Sequence, residues 1–242
     1  MFGLSNNATT TGSGSIGQQL QGVSHAVLGT AITAATTTGQ QEALFGCGCF
    51  WGAEKGFWRL PGVVTTAVGY AGGAIQDPSY DQVCSGRTGH AEVVRVVWDS
   101  DRLHFSDLLK LFWECHDPTQ GNRQGNDRGS LYRSAIVVHD PGLLQLAEAS
   151  ALSYGANLIA RGFAAITTEI ASDCVLYYAE AYHQQYLAKP GSRPYCSAQP
   201  SGVRLEEFPG ADYRLPASVW NAYDWSVPHC VLRGDNSPIV LP

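Results

Sequence analysis

The sequence predicts an α+β fold, in which helices cover a mixed central sheet and an irregular tail follows. Segments with strand and helix periodicity alternate from Glu42 to about Lys189. The β-rich segments 63–70 and 91–98 have no helix between them, which argues against a doubly wound parallel sheet. Eight of the twelve prolines lie at or after Pro190, so regular structure is unfavourable there. Together these observations indicate a two-layer α/β domain with a C-terminal extension.

Composition and charge exclude several classes of partner. The 242 residues are 44% hydrophobic, and no apolar run is long enough to cross a bilayer. The net charge is −6 and the pI is about 5.6, with no basic block, so we expect neither nucleic acid nor a membrane as partner. Seven cysteines cannot all pair within one chain, and C-x-x-C is absent from the sequence. Free thiols suit a reducing compartment, so the sequence favours the cytoplasm without excluding an organelle.

The chain divides into three predicted segments. Residues 1–41 contain no Asp, Glu, Lys or Arg and are rich in Thr, Ser, Gly and Gln, so we expect most of this segment to be disordered. His25–Ile32 is more apolar and is the part expected to lie against the domain. It lacks the basic n-region of a secretory signal and the arginines of a transit peptide. Residues 42–189 form the predicted main domain. Residues 190–242 form a proline-rich, irregular tail.

Local signals place the elements of the main domain. The clearest strand is Ala91–Trp98, which has an apolar centre. Phe105–Cys115 has apolar residues at helical spacing. Asp140 and Pro141 are the N-cap and first residue expected of a helix that ends near residue 161. The other predicted strands are 42–45, 63–70, 133–139 and 166–170, and the other predicted helices are 51–60 and 180–187.

Two cysteines, Cys47 and Cys49, lie where the first strand meets the first helix. A thiol at a helix N-terminus faces unpaired N–H groups and the positive end of the helix dipole, and both favour the thiolate. The local pattern leaves either cysteine as a candidate nucleophile. The main alternative is a Cys–His hydrolase of unknown substrate, in which a histidine would activate the thiol. Ordinary packing of a small buried residue is a further alternative.

Nine short motifs then carry a resemblance to a known family. They occur in order between residues 48 and 187, the resemblance covers the chain from about His25 to Cys196, and together the motifs make a chance match negligible. The chain resembles peptide methionine sulfoxide reductase A, which reduces the S epimer of methionine sulfoxide in proteins and as the free amino acid. The resemblance implies a two-layer sandwich, for which we expect a ferredoxin-like core, and it makes residues 42–189 the catalytic reductase domain. The motifs are G-C-F-W-G (48–52), G-Y-A-G-G (69–73), P-S-Y-D-Q-V-C-S-G (78–86), T-G-H-A-E (88–92), H-D-P-T (116–119), G-N-R-Q-G-N-D (121–127), Y-R-S (132–134), I-T-T-E-I (166–170) and Y-H-Q-Q-Y-L (182–187).

The resemblance assigns the nucleophile and the wall beside it. The family nucleophile is the cysteine of G-C-F-W, which is Cys49 here. Cys47 lies outside that motif, so we expect it to serve packing. Phe50 and Trp51 match the aromatics that hold the substrate methyl group, a reasonable contact because a sulfoxide is polar at one end only.

The resemblance also assigns the groups around the sulfoxide oxygen. Glu92 matches the acid that protonates this oxygen, and apolar surroundings would raise its pKa so that it holds a proton near neutral pH. Tyr80 and Tyr132 match tyrosines that hydrogen-bond the same oxygen. Asp127 matches an acid that binds the substrate main chain or orders water.

The tail is expected to supply the resolving thiol. Cys196 lies where many members of the family have a tail cysteine that condenses with the sulfenic acid on Cys49. Thioredoxin or a similar dithiol would then reduce the disulfide, without a metal, flavin or nicotinamide cofactor. Cys230 is a candidate second tail thiol that relays the disulfide, and Cys84, Cys115 and Cys174 are expected to serve packing. The expected partners are therefore this reductant and oxidised proteins and peptides, and we expect a monomer that repairs them during oxidative stress.

Overall fold

The computed structural model describes residues 15–227, 230–232 and 234–241, without the side chains of Ser15 and Cys230. The helices are α1 (Ser15–Gln19), α2 (Phe50–Trp58), α3 (Tyr80–Cys84), α4 (Phe105–Cys115), α5 (Pro141–Ala160) and α6 (Ala217–Trp220). The strands are β1 (Gln40–Cys47), β2 (Val63–Ala71), β3 (Ala91–Asp99), β4 (Arg123–Gln124), β5 (Asp127–Arg128), β6 (Ser134–Val137), β7 (Glu169–Ala171) and β8 (Tyr177–Tyr178). Within these ranges, no helix has the length and apolar character needed to traverse a membrane.

A mixed sheet organises the described part of the chain. Its six strands run in the order β7-β6-β1-β3-β2-β8. β6 and β7 pair in parallel, and every other neighbouring pair is antiparallel. β4 and β5 form a separate short hairpin. The predicted mixed sheet is confirmed, and β2 and β3 are antiparallel neighbours. The expectation that no helix lies between these two strands is wrong, because the capping box of Ser79 starts the five-residue helix α3 there.

The two faces of the sheet are covered by different parts of the chain. Side chains alternate along β1, so that Phe45 and Leu44 belong to separate apolar clusters. The Phe45 cluster contains residues of α2, α4 and α5, and Phe45 stacks on Phe57 with ring centroids 4.7 Å apart. The Leu44 cluster contains Leu20 and Ile32 from the N-terminal segment.

The N-terminal segment is more ordered than its composition predicts. Leu20, His25 and Ile32 are fully buried. The buried guanidinium of Arg95 pairs with Glu42 and donates to the carbonyl oxygens of Ile32 and Ala34. His25–Ile32 lies against the domain as expected, but the prediction of disorder is wrong for the rest of residues 15–41. The far face of the sheet provides apolar surface and an ion pair that the segment itself lacks. Its remainder, residues 1–14, lies outside the described part.

Two long helices begin and end where the sequence predicts. α4 has the predicted bounds. α5 begins after Asp140, whose carboxylate accepts the backbone N–H groups of Gly142 and Leu143. The predicted helix at 180–187 is wrong, since a 3-10 turn at Tyr186–Ala188 is all the helical structure described there. Gln185 has a positive φ of 45°, which interrupts a helix at that point.

The tail is irregular in backbone and still contributes to the core. Beyond Pro190, α6 and a 3-10 turn at Cys230–Leu232 are the helical elements described. Leu205 and Phe208 are nevertheless buried in the cluster on the helical face of the sheet. Glu114 of α4, itself fully buried, accepts the backbone N–H of Leu205 and a bond from Arg204. The tail is therefore anchored along its course.

Candidate active site

The junction of β1 and α2 places Cys49 at a helix start. β1 ends at Cys47, and Cys49 is the N-cap of α2. Gly48 between them has a φ of +87°, and a Cβ on it would lie 2.6 Å from the Cβ of Gln124. A side chain at position 48 would thus be both strained and obstructed. This turn directs the two cysteines to different surroundings: Cys47 joins the apolar core, while Cys49 lies near Glu92.

Cys49 and Glu92 form the centre of the site. Glu92, at the start of β3, is 2% exposed, and its Oε2 accepts the backbone N–H of Phe50 at 3.0 Å. Burial raises the pKa of Glu92 to about 8, although the bond from Phe50 lowers it. Burial raises the pKa of the Cys49 thiol well above its usual range, and the nearby Glu92 raises it further. The backbone N–H of Trp51 lowers this pKa, but by less. The expected effect of the helix start on Cys49 is present, but burial outweighs it, so thiol and carboxyl are both protonated at neutral pH.

An aromatic wall follows Cys49 along α2. Phe50 is buried, and Trp51 is partly exposed. The Trp51 ring stacks on Tyr186 with centroids 3.8 Å apart, and its indole N–H donates to Nδ1 of His183 at 3.1 Å. The ring of His183 also lies 5.1 Å from that of Phe50. Both aromatics are thus held in place beside the thiol by residues of the 183–186 segment.

Two tyrosines border the same region. Tyr80 begins α3, and Tyr132 ends a 3-10 turn before β6. Burial raises the pKa of the Tyr132 hydroxyl, with further contributions from Glu92 and Asp127. Burial and a hydrogen bond with Cys84 raise the pKa of Tyr80, and Glu92 adds to the shift. Both hydroxyls are therefore proton donors at any physiological pH, and Glu92 influences both.

Asp127 lies at the mouth of the site, in contact with the tail. Its Oδ1 accepts the hydroxyl proton of Tyr195. Its Oδ2 is buried and has no hydrogen-bond partner among the described residues. The Tyr195 ring meets the edge of Trp51 with centroids 6.2 Å apart. The tail thus covers one edge of the site and leaves a carboxylate oxygen for a further donor.

Cys196 lies beside the first turn of α2. Its thiol is buried, and its sulfur lies 2.6 Å from where a Cβ on Gly52 would be. Burial raises the pKa of Cys196 to about 12. The eight residues predicted for the site are accordingly brought together: Cys49, Phe50, Trp51, Tyr80, Glu92, Asp127, Tyr132 and Cys196. The side chain of Cys230 is outside the described part.

The other cysteines divide into two groups. Cys115 and Cys47 are buried, as packing residues would be. Cys174 is partly exposed and packs against the Leu44 cluster, whereas Cys84 is exposed, so the expectation of packing is wrong for Cys84.

Two supporting residues were not predicted from the sequence. Glu180 accepts the backbone N–H of Tyr80 and the hydroxyl of Tyr70, both at 2.9 Å. His183 holds Trp51, as described above. His183 lies within the motif Y-H-Q-Q-Y-L, which indicated family membership, but only the folded chain shows that residues 180–183 meet α2 and α3.

The arrangement of two thiols around a protonated carboxyl and two tyrosines is typical of a thiol-based oxidoreductase. A family model described as peptide methionine sulfoxide reductase matches residues 41–208. The chain belongs to this family of enzymes, which confirms the resemblance read from its motifs.

Curated relatives support the same assignment over most of the chain. A protein from Vibrio cholerae named peptide methionine sulfoxide reductase MsrA is 54% identical over 179 residues, covering 74% of this chain and 84% of the relative. A protein of the same name from Ectopseudomonas mendocina is 53% identical over 188 residues, covering 77% of this chain and 85% of the relative.

Solved structures extend the likeness to the fold. Methionine sulfoxide reductase A of Corynebacterium diphtheriae has a TM-score of 0.71 and 40% identity, covering 86% of this chain and all of that one. Reduced Mxr1 from Saccharomyces cerevisiae has a TM-score of 0.59 and 30% identity, covering 67% of this chain and 91% of that one.

Proposed function

We propose that this chain reduces the S epimer of methionine sulfoxide, in proteins and as the free amino acid, with Cys49 as nucleophile and Glu92 as proton donor. The observation that carries the proposal is the position of Glu92. Its buried carboxyl accepts the N–H of Phe50, the residue after Cys49, and burial raises its pKa to about 8. An acid in this state supplies a proton at neutral pH next to the sulfur that attacks.

The first step transfers the oxygen atom from the substrate sulfur to the sulfur of Cys49. Cys49 attacks the sulfoxide sulfur as Glu92 protonates the oxygen, with Tyr80 and Tyr132 as donors to the same oxygen. The sulfur–oxygen bond of the substrate breaks, methionine leaves, and Cys49 becomes a sulfenic acid. The thiol proton of Cys49 restores Glu92. The aromatic rings of Phe50 and Trp51 contact the methyl group, and Asp127 accepts a main-chain donor of the substrate.

The second step uses the tail. The Cys196 thiol condenses with the sulfenic acid, giving a Cys49–Cys196 disulfide and water. Cys196 packs against Gly52, three residues after Cys49, which supports its assignment as the resolving thiol. Thioredoxin or a similar dithiol then reduces the disulfide by exchange. On this proposal residues 42–189 are the catalytic unit, and residues 190–242 carry the resolving thiol.

Several finer features belong to the same proposal. The strand order β6-β1-β3-β2, with α2 after β1 and α4 after β3, supports a ferredoxin-like core. Six described cysteines are free thiols, which supports a location in a reducing compartment such as the cytoplasm. The expected state is a monomer. A Cys–His hydrolase is disfavoured, because His183, the histidine beside Phe50, uses Nδ1 to accept from Trp51.

A direct assay tests the reduction step. The chain is incubated with dithiothreitol and two peptides that carry either the S or the R epimer of methionine sulfoxide. We expect methionine from the S peptide alone, and none from either peptide with Cys49→Ser. An S peptide that is left untouched by the wild-type chain would overturn the proposal.

A second assay tests the resolving step. After substrate is added without reductant, mass spectrometry of the peptides should find Cys49 joined to Cys196. With Cys196→Ser we expect turnover with thioredoxin to collapse and turnover with dithiothreitol to persist, because a small thiol reduces the sulfenic acid directly. Normal thioredoxin-dependent turnover of that variant would remove Cys196 from the scheme.

A further inference from the structure

A second group of thiols lies beside the candidate active site. Cys47 ends β1 and Cys115 ends α4, and both side chains are buried. The two sulfurs and a ring nitrogen of His116 all lie within 4.8 Å of one another. Cys196 lines the same small cavity as Cys47 and Cys115. Three cysteines therefore line one cavity, and the proposed reaction uses only one of them, Cys196.

The hydrogen bonds of His116 disfavour a metal site at this cluster. Nδ1 lies 2.7 Å from the carbonyl oxygen of Phe112, which can only accept, so Nδ1 carries the proton. Nε2 lies 2.8 Å from Oγ of Ser134 and must then accept from that hydroxyl. Nδ1 therefore has no lone pair for a metal ion, and the lone pair of Nε2 is engaged by the Ser134 hydroxyl. The two thiols that remain are fewer ligands than structural zinc requires. The cluster is therefore better described as a pair of thiols beside a third.

We propose that Cys47 and Cys115 are a second redox-active dithiol, which accepts the disulfide from Cys49 and Cys196 and frees both for another turnover. The proposal rests on the proposed function, because methionine sulfoxide is the oxidant. Cys196 is the link, since it lines the cavity of Cys47 and Cys115 and also packs against Gly52, three residues after Cys49.

The transfer balances as two thiol–disulfide exchanges. Cys115 attacks the Cys196 sulfur of the Cys49–Cys196 disulfide, so that a Cys115–Cys196 bond forms and Cys49 leaves as a thiol. Cys47 then attacks Cys115, which gives a Cys47–Cys115 disulfide and releases Cys196. The proton lost by each attacking thiol is taken up by the leaving sulfur. Cys47 and Cys115 are oxidised by two electrons as Cys49 and Cys196 are reduced by two, so no other oxidant or reductant is needed.

The surroundings favour the product and limit the rate. A disulfide is apolar and suits the cavity wall formed by Ala53, Leu111 and Val231. Burial raises the pKa of Cys115 well above that of a free thiol, so little thiolate is present at neutral pH. Because the reacting sulfurs share one cavity, their effective concentration is high, and this offsets part of the rate lost to the small thiolate fraction. We therefore expect the transfer to follow the Cys49–Cys196 step more slowly.

The stoichiometry of methionine formed without reductant tests the transfer. The parent for the test is the full chain with Cys230→Ser, which removes the other candidate relay thiol. The fully reduced parent is incubated with excess sulfoxide peptide, and methionine is counted per chain. We expect about two methionines per chain in the parent and about one when Cys47→Ala and Cys115→Ala are combined in it, because each disulfide accounts for one sulfoxide. Cys174→Ala, which removes a thiol outside the cavity, should leave the count unchanged.

Mass spectrometry identifies the bonds. The oxidised parent should contain a Cys47–Cys115 bridge, and Cys47→Ala should trap a Cys115–Cys196 bridge. A parent that forms about one methionine per chain, with both cavity thiols still reduced, would overturn the transfer. So would one bound zinc per chain that is lost in the double variant. Turnover with dithiothreitol separates the two proposals. A parent that is inactive in this assay contradicts the proposed function, and a double variant that is active shows that its chain still folds.

Discussion

At the scale of single residues, Glu92 sets the pH range of the proposed reaction. Burial raises its pKa to about 8, above the usual 4.5, so the carboxyl holds its proton below that pH and loses it above. We expect methionine formation in a single turnover to fall as pH rises through about 8. Glu92→Gln cannot donate and should slow this step by about 10²–10⁴-fold. The variant should also lack the decline near pH 8, and a decline that persists would assign it to another group.

Gly52 fixes where the resolving thiol lies. An alanine Cβ there would be 2.6 Å from the Cys196 sulfur and 3.1 Å from its Cβ, so Cys196 must move. We expect Gly52→Ala to slow formation of the Cys49–Cys196 disulfide by roughly 10–100-fold, because small displacements of reacting groups are costly. Quenched-flow mass analysis would follow the bridge with time.

A neighbouring glycine provides the matched control for this change. A Cβ on Gly56, one turn further along α2, would meet its nearest neighbour at 3.5 Å, an ordinary contact. Gly56→Ala should therefore leave the rate of disulfide formation unchanged. Equal slowing in both variants would mean that the effect comes from α2 as a whole and not from contact with Cys196.

At the scale of elements, α2 is held by a buried hydrogen-bond network around Glu54. Its carboxyl accepts from the Thr66 hydroxyl at 3.0 Å and from the amide side chain and backbone N–H of Gln185 at 2.7 and 2.8 Å. His25 donates to Thr66 through Nε2, since its Nδ1 accepts backbone N–H groups. The network thereby connects the N-terminal segment, β2 and residue 185 to the helix that begins at Cys49.

This network gives the fold a predictable pH dependence. Burial raises the pKa of Glu54 from 4.5 to about 7, so the folded chain retains a proton that the unfolded chain loses between these values. Its contribution to stability is complete below about pH 4.5 and is lost as pH rises to about 7. In urea unfolding, the stability of the wild type should therefore decline relative to Glu54→Gln across this interval. The exposed Glu148→Gln should follow the wild type, and parallel curves for wild type and Glu54→Gln would contradict the assignment.

The elements that could be predicted from the sequence are those whose signal is local. Helical spacing and an N-cap defined α4 and α5, and β-branched runs defined β2 and β3. The two-residue strand β8 was missed, because it is a strand only through its pairing with β2. For the site, the motifs identified Cys49 and Glu92, whereas the supports Glu180 and His183 depend on how distant segments meet. The buried location of Cys196 was likewise not predictable, since it depends on the path of an irregular tail.

At the scale of the whole molecule, the tail is part of the cooperative fold. The proline-rich composition of the tail predicts an irregular backbone, but it does not predict whether the side chains of the tail are buried. Leu205 is 3% exposed in the same core as the sheet, so Leu205→Ala should cost about 2–5 kcal/mol of stability in urea unfolding, as other core truncations do. Val240, 87% exposed, is the control, and Val240→Ala should change stability by less than about 0.5 kcal/mol. If neither variant changed the free energy of unfolding, the tail would be an appendage that contributes nothing to the stability of the domain. A large loss at Leu205 alone would mean that the tail near residue 205 belongs to the cooperative fold, so that any movement of Cys196 toward Cys49 must take place in the segment before it.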